Sequence, residues 1–287
     1  MFTRQRTGSV VCPACGSLVG VNDEACYSCG RRNPSLWGFS PLIRSLGQDL
    51  GFVYVIMVGT IGLYLATVAG SGGDVQSSMV APLAPSTRIQ FLYGASGAYP
   101  VFGFGRWWTI FSAGWLHGGL LHIFFNLLWV RQLAPETADL YGPGRTVIVY
   151  TISSACGFAI SSVMGVLIPG IPVIGGASYI TVGASAAIMG LLGAQVCYGR
   201  RTGSHIVRAG AWQYAVMLFF FGLIMPGVDN WAHAGGFAGG YLMGRVLDPL
   251  KPERIDHMIG AVVCLGLTIL AIVFSVVHGL MLGMQYW

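Results

Sequence analysis

Long apolar runs alternate along the chain with short connections rich in Gly, Pro or Arg. Seven runs, at about residues 51–70, 111–133, 146–168, 183–199, 211–226, 230–247 and 257–282, predict helices. At about 1.5 Å per residue the first crosses the ~30 Å hydrocarbon layer of a bilayer. Ahead of them the pattern changes. Residues 1–34 are polar and carry cysteines, and residues 35–50 form an amphipathic stretch with Trp37, Phe39, Leu42, Ile43 and Leu46, expected to lie at the membrane interface. Between the first two runs a loop of Ser, Gly and Pro, about residues 71–106, carries apolar patches that are expected against the membrane surface.

Composition fixes the environment. Of 287 residues only 9% are charged and 54% are hydrophobic, a balance that excludes a water-soluble domain of this length. The chain reads as an all-α polytopic membrane protein. Its net charge of +5 could point to nucleic acid or anionic lipid, but the placement of the basic residues argues otherwise. With the N-terminus in the cytosol, 13 of the 15 Lys and Arg residues fall on the cytosolic side, leaving only Arg88 and Arg106 outside. That asymmetry predicts seven spans with a cytosolic N-terminus and an outer C-terminus, and no nucleic-acid partner. No cleavable signal peptide is expected, because the first long apolar run begins only near Gly51.

Four of the seven cysteines lie within the first 30 residues, as Cys12-Pro-Ala-Cys15-Gly and Cys26-Tyr-Ser-Cys29-Gly. Each knuckle aims two thiolates at one point, so the pair can complete a tetrahedral four-sulfur site for structural zinc. Iron in a similar site, or two disulfides, are the alternatives; the cytosolic side disfavours disulfides. The segment resembles a short zinc ribbon, whose folding free energy would come from the metal. Cys156, Cys197 and Cys264 stand singly in apolar runs and read as packing residues.

The polar groups inside the runs carry the candidate chemistry. Ser185 opens the fourth run, His117, His122 and Asn126 lie on the second, and His233 lies on the sixth. A serine in a membrane helix commonly serves close packing, but imidazoles there are costly and default to functional candidates. All three runs descend from the outer face in the predicted topology, so these groups share the outer part of the membrane. His233 can take a proton from Ser185, and the Ser185 N–H, His122 and Asn126 can serve a developing oxyanion. No carboxylate is placed for a third member, since Asp229 reads as interfacial. Gly236, Gly240 and Gly244 on the sixth run and Ala186, Gly190 and Ala194 on the fourth recur at the same four-residue spacing, and small residues on both helices permit a close crossing; ordinary small-residue packing gives the same pattern.

These motifs identify a family. His117-Gly-Gly-Leu-Leu-His122-Ile-Phe-Phe-Asn126, Gly183-Ala-Ser185 with Gly190, Ala232-His233-Ala-Gly-Gly236 and the loop Arg106 together resemble the rhomboid intramembrane serine proteases over about residues 50–250. The resemblance implies a six-helix core plus one C-terminal span, and cleavage of other membrane proteins in or near their spans. It implies Ser185 as nucleophile, His233 as base, His122 and Asn126 as oxyanion donors, and His117, Gly183, Gly190 and Gly236 as structural residues near the site. No catalytic cofactor follows from it. The sequence departs from the family pattern at Ala186 and Met189, where Gly and an aromatic are common, at Gly105 in place of Trp, and at Ala138 in place of an acid before the Gly142 turn.

The expected organisation is a cytosolic ribbon (1–34), an amphipathic linker (35–50), a catalytic core (51–250) and a seventh span (251–287). The expected partners are transmembrane protein substrates, membrane lipids and a cytosolic partner docked on the ribbon. Two rival functions are a non-catalytic relative that binds transmembrane clients and a transporter with a histidine proton relay. The relay is disfavoured because the cytosolic half of the runs lacks comparable polar groups.

Overall fold

A computed structural model describes residues 4–286, apart from Ala14, residues 42–46, Gln48, residues 169–178 and Pro226. Leu42, Ile43 and Leu46 of the amphipathic stretch, and Arg44, lie outside the described residues. The N-terminal segment forms an antiparallel hairpin of β1 (Ser9–Val11) and β2 (Leu18–Gly20), pairing Val10 with Val19. Val10, Val19 and Val21 share a small buried cluster with Cys12 and Cys26.

The rest is helical. The long helices are α1 (Phe52–Ser71), α4 (Leu120–Tyr141), α5 (Pro143–Leu167), α6 (Ser185–Thr202), α7 (His205–Ile224), α8 (Asn230–Val246) and α9 (Ile255–Tyr286). Two short helices, α2 (Thr87–Tyr93) and α3 (Thr109–Ser112), lie in the connection after α1. Among the described residues four helices are long and apolar enough to cross a membrane, or five if α3 with its following turn and α4 count as one bent span. The remaining two, α6 and α8, are short, and α8 carries five glycines. Helix α6 is the most enclosed helix of the bundle, and the glycines of α8 let close packing replace lipid-facing apolar bulk.

Helix α6 is the central element. It packs most extensively on α8 and also on α4, α5 and α7, while α9 packs on α5, α2 and α3. The buried core runs through Val130, Leu133, Ile188, Leu191 and Leu192. By contrast α1, α7 and α9 present large exposed apolar side chains such as Leu65, Phe220 and Leu270, as lipid-facing surfaces do.

The second apolar run departs from a continuous helix. Helix α3 and the turn at Ala113–Trp115 are bent 95° from α4, and the backbone between them is extended at Leu116 and Gly119. Apolarity continues through this break, so hydropathy alone hides it. Helix α4 also runs beyond the expected end, through Pro135 to Tyr141, where Gly142 turns the chain into α5. A carboxylate from another part of the chain lies at this turn. The Glu253 carboxylate, between α8 and α9, accepts the Arg145 N–H at 2.9 Å and would lie 2.8 Å from a β-carbon at Gly142.

Candidate active site

Ser185 is the first residue of α6, which begins without a side-chain cap. The first N–H groups of such a helix have no partner inside it and carry partial positive charge. The approach to this helix start is pinned. Thr181 and Ser96 exchange backbone hydrogen bonds at 2.7 and 3.1 Å, and the Gly183 N–H donates to the Ala113 carbonyl at 3.0 Å. Gly183 has φ 128°, a conformation that side-chain-bearing residues rarely adopt.

Helices α6 and α8 run parallel at very close range. A β-carbon at Gly236 or Gly240 would overlap the carbonyls of Ala186 or Gly190, and one at Gly244 would lie 3.2 Å from the Ala194 Cα. This constant offset of 50 residues sets the level of everything above it. His233, one turn before Gly236 and on its face, comes level with the start of α6. Gly157 on α5 completes the junction, since a β-carbon there would lie 2.6 Å from the Ala232 carbonyl and 2.7 Å from the Ala186 Cβ. Gly190 is fixed by the same logic: Ser153 of α5 occupies the space a side chain would need.

His233 is 5% exposed and its Nδ1 has no hydrogen-bond partner. Among the described residues no hydrogen bond joins it to Ser185 Oγ; the helix register sets His233 at the level of Gly183, two residues before Ser185. Catalytic hydrogen bonds often tighten only with substrate bound.

His122 stands on the other side of the serine. Its Nε2 and Cε1 edge would lie 2.7 Å from a β-carbon at Gly183, two residues before Ser185. Its Nδ1 accepts the Gly118 N–H at 3.2 Å, so the neutral ring carries its proton on Nε2, the edge facing Gly183. Asn126, one turn below, donates to the His122 carbonyl at 2.8 Å, leaving a second amide hydrogen available and its Oδ1 unpaired.

His117 does not lie on the helix with His122. It sits in the break before α4, buried, its ring 5.0 Å from that of His122, and its Nε2 accepts the Ala184 N–H at 3.5 Å. It ties the break to the start of α6. Asp229, read from sequence as interfacial, is buried instead. Its carboxylate caps α8 by accepting the Ala232 N–H at 2.9 Å and also accepts the Ser161 hydroxyl of α5. Both oxygens are engaged away from the imidazole, so it is no third member of a triad. Sequence spacing reveals the cap position but not the Ser161 partner, 68 residues away.

The four N-terminal cysteines converge separately. Their sulfurs all lie within 4.8 Å of one another, with Cys12–Cys29 at 3.8 Å and Cys15–Cys26 at 3.6 Å. Disulfides need about 2.05 Å. Four thiolates about 2.3 Å from one metal would stand roughly 3.8 Å apart, so the set fits a metal ion. The two knuckles repeat one hydrogen bond: the Gly16 and Gly30 N–H groups donate to the Cys12 and Cys26 carbonyls at 2.9 and 2.8 Å. Hydrogen bonds from the Ser17 side chain and then its backbone, with lesser help from Cys29 and Cys26, hold the Cys15 thiol down to about 6.

The apolar helices define a polytopic membrane protein, with Ser185 at one helix start, His233 on the parallel neighbour and His122 with Asn126 on α4. Residues 104–250 match the family model for the rhomboid domain, and the chain belongs to the rhomboid family. It is 33% identical over 144 residues to RHOMBOID-like protein 4 of Arabidopsis thaliana, covering 49% of this chain and 34% of that protein. It is 26% identical to rhomboid protease GluP of Bacillus subtilis over 58% of this chain and 31% of that one. Rhomboid-like protease 5 of Toxoplasma gondii is 30% identical over 60% of this chain and 20% of its own length. The matched stretch therefore spans about a third or less of each of these relatives. The family acts on transmembrane substrates, and the N-terminal cysteine cluster fits a zinc ribbon.

Proposed function

We propose that the chain is an intramembrane serine endopeptidase that cleaves transmembrane proteins in or near their spans with Ser185 and His233. The observation that supports this reading is the 50-residue register between α6 and α8, which puts His233 at the level of Gly183, two residues before Ser185. His233 takes the Ser185 proton as Oγ attacks the scissile carbonyl carbon. The resulting oxyanion accepts from His122 Nε2–H, the free Asn126 amide hydrogen and the Ser185 N–H. The tetrahedral intermediate collapses, the C–N bond breaks, and His233 returns its proton to the leaving amine. A water then loses its proton to His233 and attacks the acyl carbon, the C–Oγ bond breaks, and His233 returns the proton to Ser185 Oγ, freeing the acid product and the enzyme. No metal takes part.

Residues 51–250 form the catalytic unit and α9 the seventh span, with the N-terminus cytosolic and water reaching Ser185 from the outer face. Helix α7 and the loop before α8 are the candidate gate: of α7 only Ala211, Ala215 and Gly222 are buried. Zinc in the ribbon is structural, and the ribbon, on the cytosolic side opposite Ser185, is a candidate docking module for a cytosolic partner. The departures from the family pattern at Ala186 and Met189 leave a second reading, a relative that binds transmembrane clients without cutting them. Incubating purified protein with a serine-directed fluorophosphonate decides between them by mass spectrometry. Adduct on the Ser185 peptide supports the protease; none, in folded protein, supports the binder.

A further inference from the structure

Helix α9 lies outside the matched rhomboid domain, yet it makes its most specific contacts with the connection that supports the active site. Most of its surface is apolar and exposed. Ser275 lies on its narrow buried face, fully buried and hydrogen-bonded to Arg106, Trp108 and Ser112 of that connection. Its carbonyl accepts from the Arg106 guanidinium at 3.1 Å, its Oγ accepts the Trp108 indole N–H at 3.1 Å, and it pairs with Ser112 Oγ at 3.3 Å. The fit is close. Gly94 has φ 107°, and a β-carbon there would lie within 2.7 Å of the Ser275 side chain; Gly279, one turn on, packs against the Leu92 carbonyl. Arg106, itself fully buried, also donates to the Phe91 and Leu92 carbonyls, so its guanidinium joins α2 to α9, while its own carbonyl accepts from Thr109 at the start of α3.

From this junction a continuous chain of bonds reaches the nucleophile. Ser112 Oγ donates to the Gly94 carbonyl at 2.8 Å, and the next residue, Ala113, accepts the Gly183 N–H at 3.0 Å, two residues before Ser185. A parallel path runs from Thr109 Oγ1 to Ser96 Oγ at 3.3 Å, and from Ser96 through its backbone pair to Thr181. A buried serine in a membrane helix commonly bonds its own preceding turn. Thr268 on the same helix does so, donating to the Cys264 carbonyl at 2.9 Å. Ser275 points across instead.

We infer that Ser275 is a positioning residue for the active site, holding α3 through Trp108 and Ser112 so that the segment before Ser185 keeps its geometry. The inference rests on the protease reading. It makes α9 a working part of the catalytic assembly rather than an accessory span.

The test uses the full chain in liposomes, with two readouts: the rate of fluorophosphonate acylation of Ser185, and kcat and KM on a single-span reporter. Ser275→Ala is expected to slow acylation and kcat about fivefold, the scale of one lost buried hydrogen bond, with KM unchanged. Trp108→Phe is expected to give a similar loss and to add little to Ser275→Ala, because both remove the same bond. Thr268→Ala, which removes an equally buried hydroxyl of α9, is expected to react at the wild-type rate. Wild-type acylation in Ser275→Ala, or an equal loss in Thr268→Ala, overturns the positioning role. A wild-type protein that is never acylated at Ser185 sinks the protease reading and this inference with it.

Discussion

Gly236 on α8 lies against the backbone of Ala186 on α6, so close that a β-carbon at position 236 would overlap the Ala186 carbonyl. The residue after Ser185 and the residue one turn below His233 thus form the contact that sets the relative height of the two helices. Gly236→Ala must spread the crossing, at about 1–3 kcal/mol of overpacking, and is expected to lower thermal stability and cleavage together. Gly266→Ala on α9, where nothing lies within 4 Å, is the control expected to leave both intact. Thermal scans and reporter cleavage on the two variants check this directly.

The proton on His122 Nε2, fixed by the Gly118 N–H at Nδ1, predicts a donor used only when negative charge develops. His122→Ala is expected to lower kcat by about 10²–10³ with a smaller change in KM, the usual effect of removing an oxyanion donor. Steady-state kinetics on the reporter decide it. A pure KM effect would assign His122 to substrate binding.

Glu253 is expected to act on stability and not on chemistry. Burial pushes its carboxyl up from the usual range, yet it serves the Arg145 N–H at the start of α5, far from Ser185 along the chain. Glu253→Ala leaves that end of α5 without its acceptor and is expected to cost about 1–3 kcal/mol, with Ser185 acylation retained at temperatures where the variant is folded. Differential scanning fluorimetry beside the acylation assay separates the two effects.

The ribbon is expected to hold one zinc ion per chain, lost in Cys12→Ser with Cys15→Ser. Binding requires deprotonated sulfurs, so protons are released on loading and retention is expected to weaken as pH falls. The depressed Cys15 thiol, at about 6, supplies the first thiolate at neutral pH. Metal content measured by elemental analysis across pH tests this; equal zinc in wild type and the double variant would refute the site.

Much of this architecture is legible in the sequence, and the parts that are not share a cause. Apolar runs locate the seven long helices, and the Gly236–Gly240–Gly244 spacing anticipates the crossing with Ala186, Gly190 and Ala194. Hydropathy does not reveal that His117 lies in a break, because Leu116, Gly118 and Gly119 are as apolar in pattern as the helix they interrupt. Nor does spacing disclose partners far apart in the chain. Glu253 meets the Arg145 N–H, Ser161 engages Asp229, and Ser275 meets Trp108 across 167 positions. Such pairs are fixed by helix packing, which local pattern does not encode.

The most direct test of the Ser185–His233 dyad is cleavage of a single-span reporter in liposomes by purified wild type, Ser185→Ala and His233→Ala. The dyad predicts product from wild type and none above background from either variant, with all three equally folded. Cleavage retained in either folded variant would contradict it.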